Sequence, residues 1–190
     1  MALNAPMSRA AAGMVVVLLT IASAWARQPP GMPSNASPLR VSSASFANGQ
    51  PIPQRLSCDG ANLSPDLTWS GAPSGTRSYA IVMDDTDTPS DFTHWLVYDL
   101  PADTHHLQEG AASASKRLEG ASEGLNNFGR AGYGGPCPPG GSAHHYVFRV
   151  YALDTDPALP AEEDRQQLEA AIGKHVLAQG ILTGTYQRGG

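Results

Sequence analysis

The chain has 190 residues, a length that suits one domain and allows at most two. Hydrophobic residues are 41% of it and charged residues 15%, enough apolar content to bury a core and too much for wholesale disorder. Lys and Arg number 12 against 17 Asp and Glu, a net charge of −5 with no basic run, so no nucleic-acid partner is expected.

The first 26 residues read as a targeting segment. Arg9 is the only charge before Arg27. An apolar stretch follows it, containing Val15-Val16-Val17-Leu18-Leu19, and Ala24-Trp25-Ala26 ends it with a small-x-small cleavage signal. That order is the order of a secretory signal peptide. The competing reading is a retained anchor, but the apolar run falls short of the ~20 residues a spanning helix needs. The expectation is a chain cleaved before Arg27 and delivered to the periplasm or secreted, with no stable membrane span after processing. Residues 27–39, rich in Pro, are expected to form a flexible tether. Residues 40–190 are expected to form one domain.

Strands dominate that domain. The stretches 77–83 (RSYAIVM), 94–100 (HWLVYDL), 146–153 (YVFRVYAL) and 181–187 (ILTGTYQ) are rich in Val, Ile, Tyr and Trp, with turn residues between them. The 20 Gly and 16 Pro suit strands joined by turns better than a helical bundle. The Pro/Gly-rich loop 129–143 is long and stiff, as functional loops often are. One segment reads as a helix. Glu162, Glu163 and Asp164 favour its N-terminus, and Leu168, Ala171, Ile172, His175, Val176 and Gln179 follow a helical spacing. Gly180 supplies its stop, while Gly173 inside it costs about 1 kcal/mol relative to Ala.

Chemistry-bearing residues gather at strand ends. Asp84-Asp85-Thr86-Asp87-Thr88-Pro89 closes the first long strand, and His94 opens the next one. His144-His145-Tyr146 opens another, directly after the Pro/Gly loop. Strand alternation puts His144 and Tyr146 on one face and His145 on the other. The bland reading is an acidic turn beside structural histidines. The sharper one is a binding site in which Asp85 orients an imidazole and a cationic His, a Tyr hydroxyl and loop amides hold a phosphate or carboxylate.

Cys58 and Cys137 are the only cysteines. Export would let them pair; otherwise they are two small reduced thiols. They are too few for a four-thiolate zinc site, and the histidines lack metal spacing, so neither metal nor cofactor is implied. Gly120-Ala121-Ser122-Glu123-Gly124 matches the G-x-S-x-G nucleophile elbow, but the polar residues before it and the loop after it are not the strand and helix an elbow requires.

Several ordered segments resemble the phosphatidylethanolamine-binding protein family, in its bacterial Raf-kinase-inhibitor-like branch. They are Ser57-Cys58-Asp59-Gly60-Ala61-Asn62-Leu63-Ser64-Pro65 with Trp69, Asp85-Thr86-Asp87-Thr88-Pro89, His94-Trp95, Asn126-Asn127-Phe128-Gly129, Tyr133-Gly134-Gly135-Pro136-Cys137-Pro138-Pro139, His144-His145-Tyr146-Val147-Phe148, Gly173-Lys174-His175-Val176-Leu177 and Gly184-Thr185-Tyr186. The resemblance spans roughly residues 42–188. It implies a mainly β, antiparallel β-sandwich with peripheral helices, one of them near the C-terminus. It also implies a small anion pocket drawing on Asp85, Asp87, His94, Pro136, Pro138, His144 and Tyr146. Thr86 and Thr88 stand where the family motif has Pro and Ala, which should soften the turn and keep its carboxylates. His145 stands where the family has Arg, a change expected to touch a structural ion pair more than ligand binding.

The leading functional expectation is a non-catalytic binding protein that holds a small anionic ligand or a phospholipid headgroup. A protein–protein inhibitor with a protein partner is a second reading, although an exported chain meets no cytosolic kinase. A weak hydrolase using His94, His144 and Asp85 is a third, with no placed nucleophile behind it.

Overall fold

In the computed structural model, which describes Met1 and residues 37–113 and 115–189, strands carry the architecture. In chain order they are β1 (Ser37–Pro38), β2 (Arg40–Ser42), β3 (Gln50–Pro51), β4 (Leu67–Ser70), β5 (Ser78–Asp85), β6 (Phe92–Pro101), β7 (His106–Leu107), β8 (Ser122–Glu123), β9 (His144–Leu153) and β10 (Val176–Tyr186). A 3-10 turn, Gln54–Leu56, lies between β3 and β4, and one α-helix, α1 (Arg165–Ile172), between β9 and β10. Seven strands form one sheet in the order β1-β10-β9-β5-β6-β8, with β3 also on β10; β2, β4 and β7 form a smaller one. The long pairings β5–β6, β5–β9 and β9–β10 are all antiparallel. This is the sandwich the sequence pointed to. Helix is scarcer than expected: among the described residues α1 stands alone beside the single 3-10 turn. No described helix is long and apolar enough to cross a membrane.

Every residue of β5 is buried because the large sheet is covered on both faces. Tyr79, Ile81 and Met83 point to the small sheet and pack with Trp69, Trp95, Val97, Tyr133 and Phe148. The alternate residues Ala80 and Val82 point the other way and pack with Leu96, Tyr98, Tyr151, Leu168 and Ile172 under α1. A continuous apolar run such as YAIVM is what a strand buried on both faces requires.

The helix is real at its start and shorter than its periodicity suggested. Asp164 is its N-cap, accepting from the Gln167 backbone N–H while the Gln167 side chain accepts from the Asp164 N–H, a capping box. Leu168 and Ile172 face the core as expected. The helix then ends at Gly173, and His175, Val176 and Gln179 are not on it. Val176 to Tyr186 alternates in burial with a period of two, and Gly180 lies inside β10 rather than stopping a helix. A side chain there would meet the Leu39 carbonyl oxygen at 2.5 Å. That glycine serves close strand packing.

The segment 27–39 also needs correction at its end. Ser37 and Pro38 pair with Ala178 and Gln179 of β10, and Leu39 is buried, donating its N–H to the Gln179 carbonyl. Those three residues belong to the domain. The signal-peptide reading, and the rest of the tether, lie outside the described residues. Ser122 of the elbow-like motif sits in β8 opposite Tyr98, in a strand pair instead of a strand-to-helix turn.

Candidate functional site

Three strand ends and one loop build the site. Asp85, the last residue of β5, lies opposite Phe92 on one side and Tyr146 on the other. Its carboxylate accepts from His144 Nδ1 through Oδ2 at 2.7 Å and from the Asp87 backbone N–H through Oδ1 at 3.0 Å. Because the carboxylate accepts, His144 carries its proton on Nδ1, which leaves Nε2 for another partner. The pair is nearly enclosed, with side-chain exposures of 12% for His144 and 4% for Asp85.

His94 is buried two residues into β6, from Phe92. Its Nδ1 lies 2.7 Å from the Gly134 carbonyl oxygen, which can only accept, so Nδ1 bears the hydrogen. Its ring contacts Phe92, Phe128 and Tyr146 with centroids about 5 Å apart. Burial holds the imidazole below its ordinary pKa, against the opposing pull of the Gly134 carbonyl and Asp85. At neutral pH His94 is therefore neutral, with a lone pair on Nε2.

Tyr146 has no solvent exposure. Its hydroxyl lies beside the Asp85 carboxylate and the Cys137 backbone, yet it completes no hydrogen bond among the described residues. Burial, then the neighbouring Asp85 charge, pushes its pKa well up, so the hydroxyl keeps its proton and remains a donor.

The Pro/Gly loop closes the site from the side. Pro136 and Pro138 are buried. The Gly134 N–H donates to the His94 carbonyl, and the Gly135 N–H donates to Asn62 Oδ1. The Cys58 N–H donates to the Pro136 carbonyl, and Cys58 and Cys137 form a disulfide with their Cα atoms 5.4 Å apart. Of the two states left open by the sequence, the bonded one is observed. This lashing explains how a glycine-rich segment presents fixed groups. At Gly135 a side chain would collide with the Leu56 carbonyl and Asn62.

The alternation reading of the histidines holds. His145 points away from the site, exposed, with Nδ1 at 2.8 Å from Asp87. Asp87 is thereby drawn out of the cluster: its carboxylate serves His145, and only its backbone N–H reaches Asp85. The turn thus gives the Asp87 side chain to His145 and not to Asp85. The residue that replaces the family's Arg thus still meets a carboxylate. The two threonine departures add bonds. The Thr86 N–H donates to the His145 carbonyl, a bond proline could not make, and the Thr88 hydroxyl donates to the Asp85 carbonyl.

Sequence reasoning missed the aromatic wall and the Gly134 carbonyl. Phe92 and Phe128 meet at 4.8 Å, and Phe128 keeps 40% of its surface exposed at the rim. Asn126 sets the Phe128 loop by accepting from the Phe128 N–H and donating to the Gly132 carbonyl. The Asn126-Asn127-Phe128-Gly129 motif was visible, but nothing in it says that its ring leans on a histidine.

Comparison with known proteins agrees with the fold. The family model of phosphatidylethanolamine-binding protein matches residues 42–187. A UPF0098 protein of Aquifex aeolicus is 42% identical over 153 residues, 79% of this chain and 89% of that protein. The UPF0098 protein YbcL of Escherichia coli is 43% identical over 131 residues, 66% of this chain and 70% of that one. The crystal structure of E. coli YbcL superposes with a TM-score of 0.74 at 34% identity, covering 80% of this chain and all of that chain. A phosphatidylethanolamine-binding protein homologue from Chlamydia trachomatis gives 0.73 at 34% identity over 81% of this chain. The chain belongs to the phosphatidylethanolamine-binding protein family, in the bacterial branch that includes YbcL.

Proposed function

We propose that this protein is an exported binding protein that holds an oxyanion, on a small molecule or a lipid headgroup, between Asp85, His94, His144 and Tyr146. The observation that carries this reading is the Tyr146 hydroxyl: a buried donor without a partner costs about 1–3 kcal/mol, and a ligand oxygen would recover it. His144, whose Nδ1 is bonded to Asp85, leaves Nε2 as a second polar group for the ligand. Pro136, Pro138 and the disulfide-tied loop supply a rigid wall, so little ordering entropy is lost on binding. Export follows from the order of Arg9, the apolar run and Ala24-Trp25-Ala26, and N-terminal sequencing of the secreted or periplasmic protein tests it.

The pH dependence of binding follows from His94. Its neutral Nε2 presents a lone pair to the incoming oxyanion, so the complex needs one proton that the free site lacks. Binding then takes up a proton, and by linkage affinity rises as pH falls. A phosphomonoester should bind about ten- to a hundredfold more tightly at pH 6 than at pH 8, read by calorimetric titration. Equal affinity at the two pH values would overturn the reading.

A further inference from the structure

The Cys58–Cys137 bridge is unequally accessible from its two ends. Cys58 is exposed, in the turn after the 3-10 segment, whereas Cys137 is half-buried between the buried Pro136 and Pro138. Thiol–disulfide exchange needs an attacking sulfur to reach one end of a bridge from outside while the other end leaves. Access therefore makes Cys58 the attacked end and Cys137 the leaving one.

A cleft of about 650 Å³ opens beside Cys58. Asp59, one of its walls, has Oδ1 at 3.9 Å from Cys58 Sγ. A bare carboxylate there would repel an incoming thiolate, but this one is neutralised. Arg188 donates to it through Nε and Nη2, the latter at 2.7 Å, and the Tyr186 hydroxyl donates at 2.9 Å. Arg188 is 41% exposed and forms the cationic wall of the cleft. Gln54 and Gln187 line it too. Their side-chain amide nitrogens donate to the Asp59 and Gly141 carbonyls, which leaves the amide oxygens as acceptors. One cation for a carboxylate and amide oxygens for N–H groups are the complement of an amino-acid or peptide thiol.

We propose that Cys58 is a site of reversible thiolation by a low-molecular-weight amino-acid or peptide thiol seated against Arg188. The ligand's thiolate attacks Cys58 Sγ. The Cys58–Cys137 bond breaks, a bond between Cys58 and the ligand sulfur forms, and the electron pair leaves on Cys137, whose thiolate takes a proton from water. One disulfide replaces another, so no further oxidant or reductant takes part. The Cys137 loop stays tied through the Tyr133 hydroxyl on the Leu56 carbonyl and the Gly135 N–H on Asn62. Cys137 thus remains within reach, and its return attack on Cys58 expels the ligand and restores the bridge.

The test uses N-acetylcysteine and its uncharged amide, N-acetylcysteinamide, at equal thiolate concentration on the native protein. Free thiols are trapped with N-ethylmaleimide and the adducts located by peptide mass spectrometry. Cys58 should carry the ligand and Cys137 the trap, at least about tenfold over the reverse arrangement. N-acetylcysteine should react about threefold faster than its amide, the effect of one unit charge at ~6 Å in water. Arg188→Ala should abolish or reverse that preference and Arg188→Lys should keep it, each variant first checked for native circular dichroism. Adduct on Cys137 in equal or greater amount, or a bridge that opens only in denaturant, would overturn the thiolation site. A preference missing from the parent, or one that survives Arg188→Ala, would overturn the seat at Arg188.

Discussion

Replacing Asp84 with Ala should cost about 3–5 kcal/mol of folding stability, the largest single effect expected of a point substitution here. Asp84 neighbours Asp85 in sequence but faces the opposite side of the sheet, with no solvent exposure. Its Oδ2 accepts from Arg149 Nη1 at 2.6 Å, and its Oδ1 accepts from Arg165 Nη1 at 2.8 Å and the Thr93 hydroxyl at 3.0 Å. Burial pushes its carboxyl pKa up against the pull of the two guanidiniums. Such a cluster contributes little net stability but leaves enclosed charge behind when one member is removed. Arg165 would retain Glu169; Arg149 would retain no carboxylate among the described partners. Urea unfolding of Asp84→Ala measures the loss. Replacing Asp84, Arg149 and Arg165 together with Leu and Met should recover most of it, and a single variant within about 1 kcal/mol of the parent would contradict the account.

Loss of the Cys58–Cys137 disulfide should cost about 4 kcal/mol, from the chain entropy of a loop spanning a separation of 79 residues. The loop should stay placed, because the Tyr133 hydroxyl still donates to the Leu56 carbonyl and the Gly135 N–H to Asn62. A Cys58→Ser, Cys137→Ser protein should therefore fold, with a clearly lower denaturant midpoint than the oxidised parent. Two alkylated thiols in the unreduced, denatured parent would refute the bridge.

Most of the sheet could be read from the sequence because its strands carry their own signal. YAIVM and YVFRVYAL are long, apolar and bounded by turn residues, and they became β5 and β9 with only small shifts at their ends. The short strands β1, β3, β7 and β8 could not be read, since two residues have no period and exist through their pairing partners. The stretch 173–180 misled for a physical reason. Val176 and Gln179 fit a helical spacing by coincidence with a strand alternation, and the glycine that looked like a stop marks close packing on Leu39.

The site was legible where alternation decides, as with His144 against His145. It was illegible where a turn decides. The backbone after Asp85 sends the Asp87 side chain outward, and no count of residues predicts that. Composition could not announce the neutrality of His94 either, because it comes from burial among three rings brought together from separate parts of the chain.

The central claim is that one face of this cluster binds an oxyanion, and three substitutions test it most directly. A phosphomonoester is titrated by calorimetry at pH 6 into His94→Ala, His144→Ala and His145→Ala, each first checked for native near-ultraviolet circular dichroism. His94→Ala and His144→Ala should each weaken binding by roughly ten- to a hundredfold, the value of about 1.5–3 kcal/mol for a hydrogen bond to a charged group. His145→Ala should leave affinity unchanged within about twofold, because that ring serves Asp87 on the outer face. Equal losses in all three variants, or no loss in any, would contradict the account.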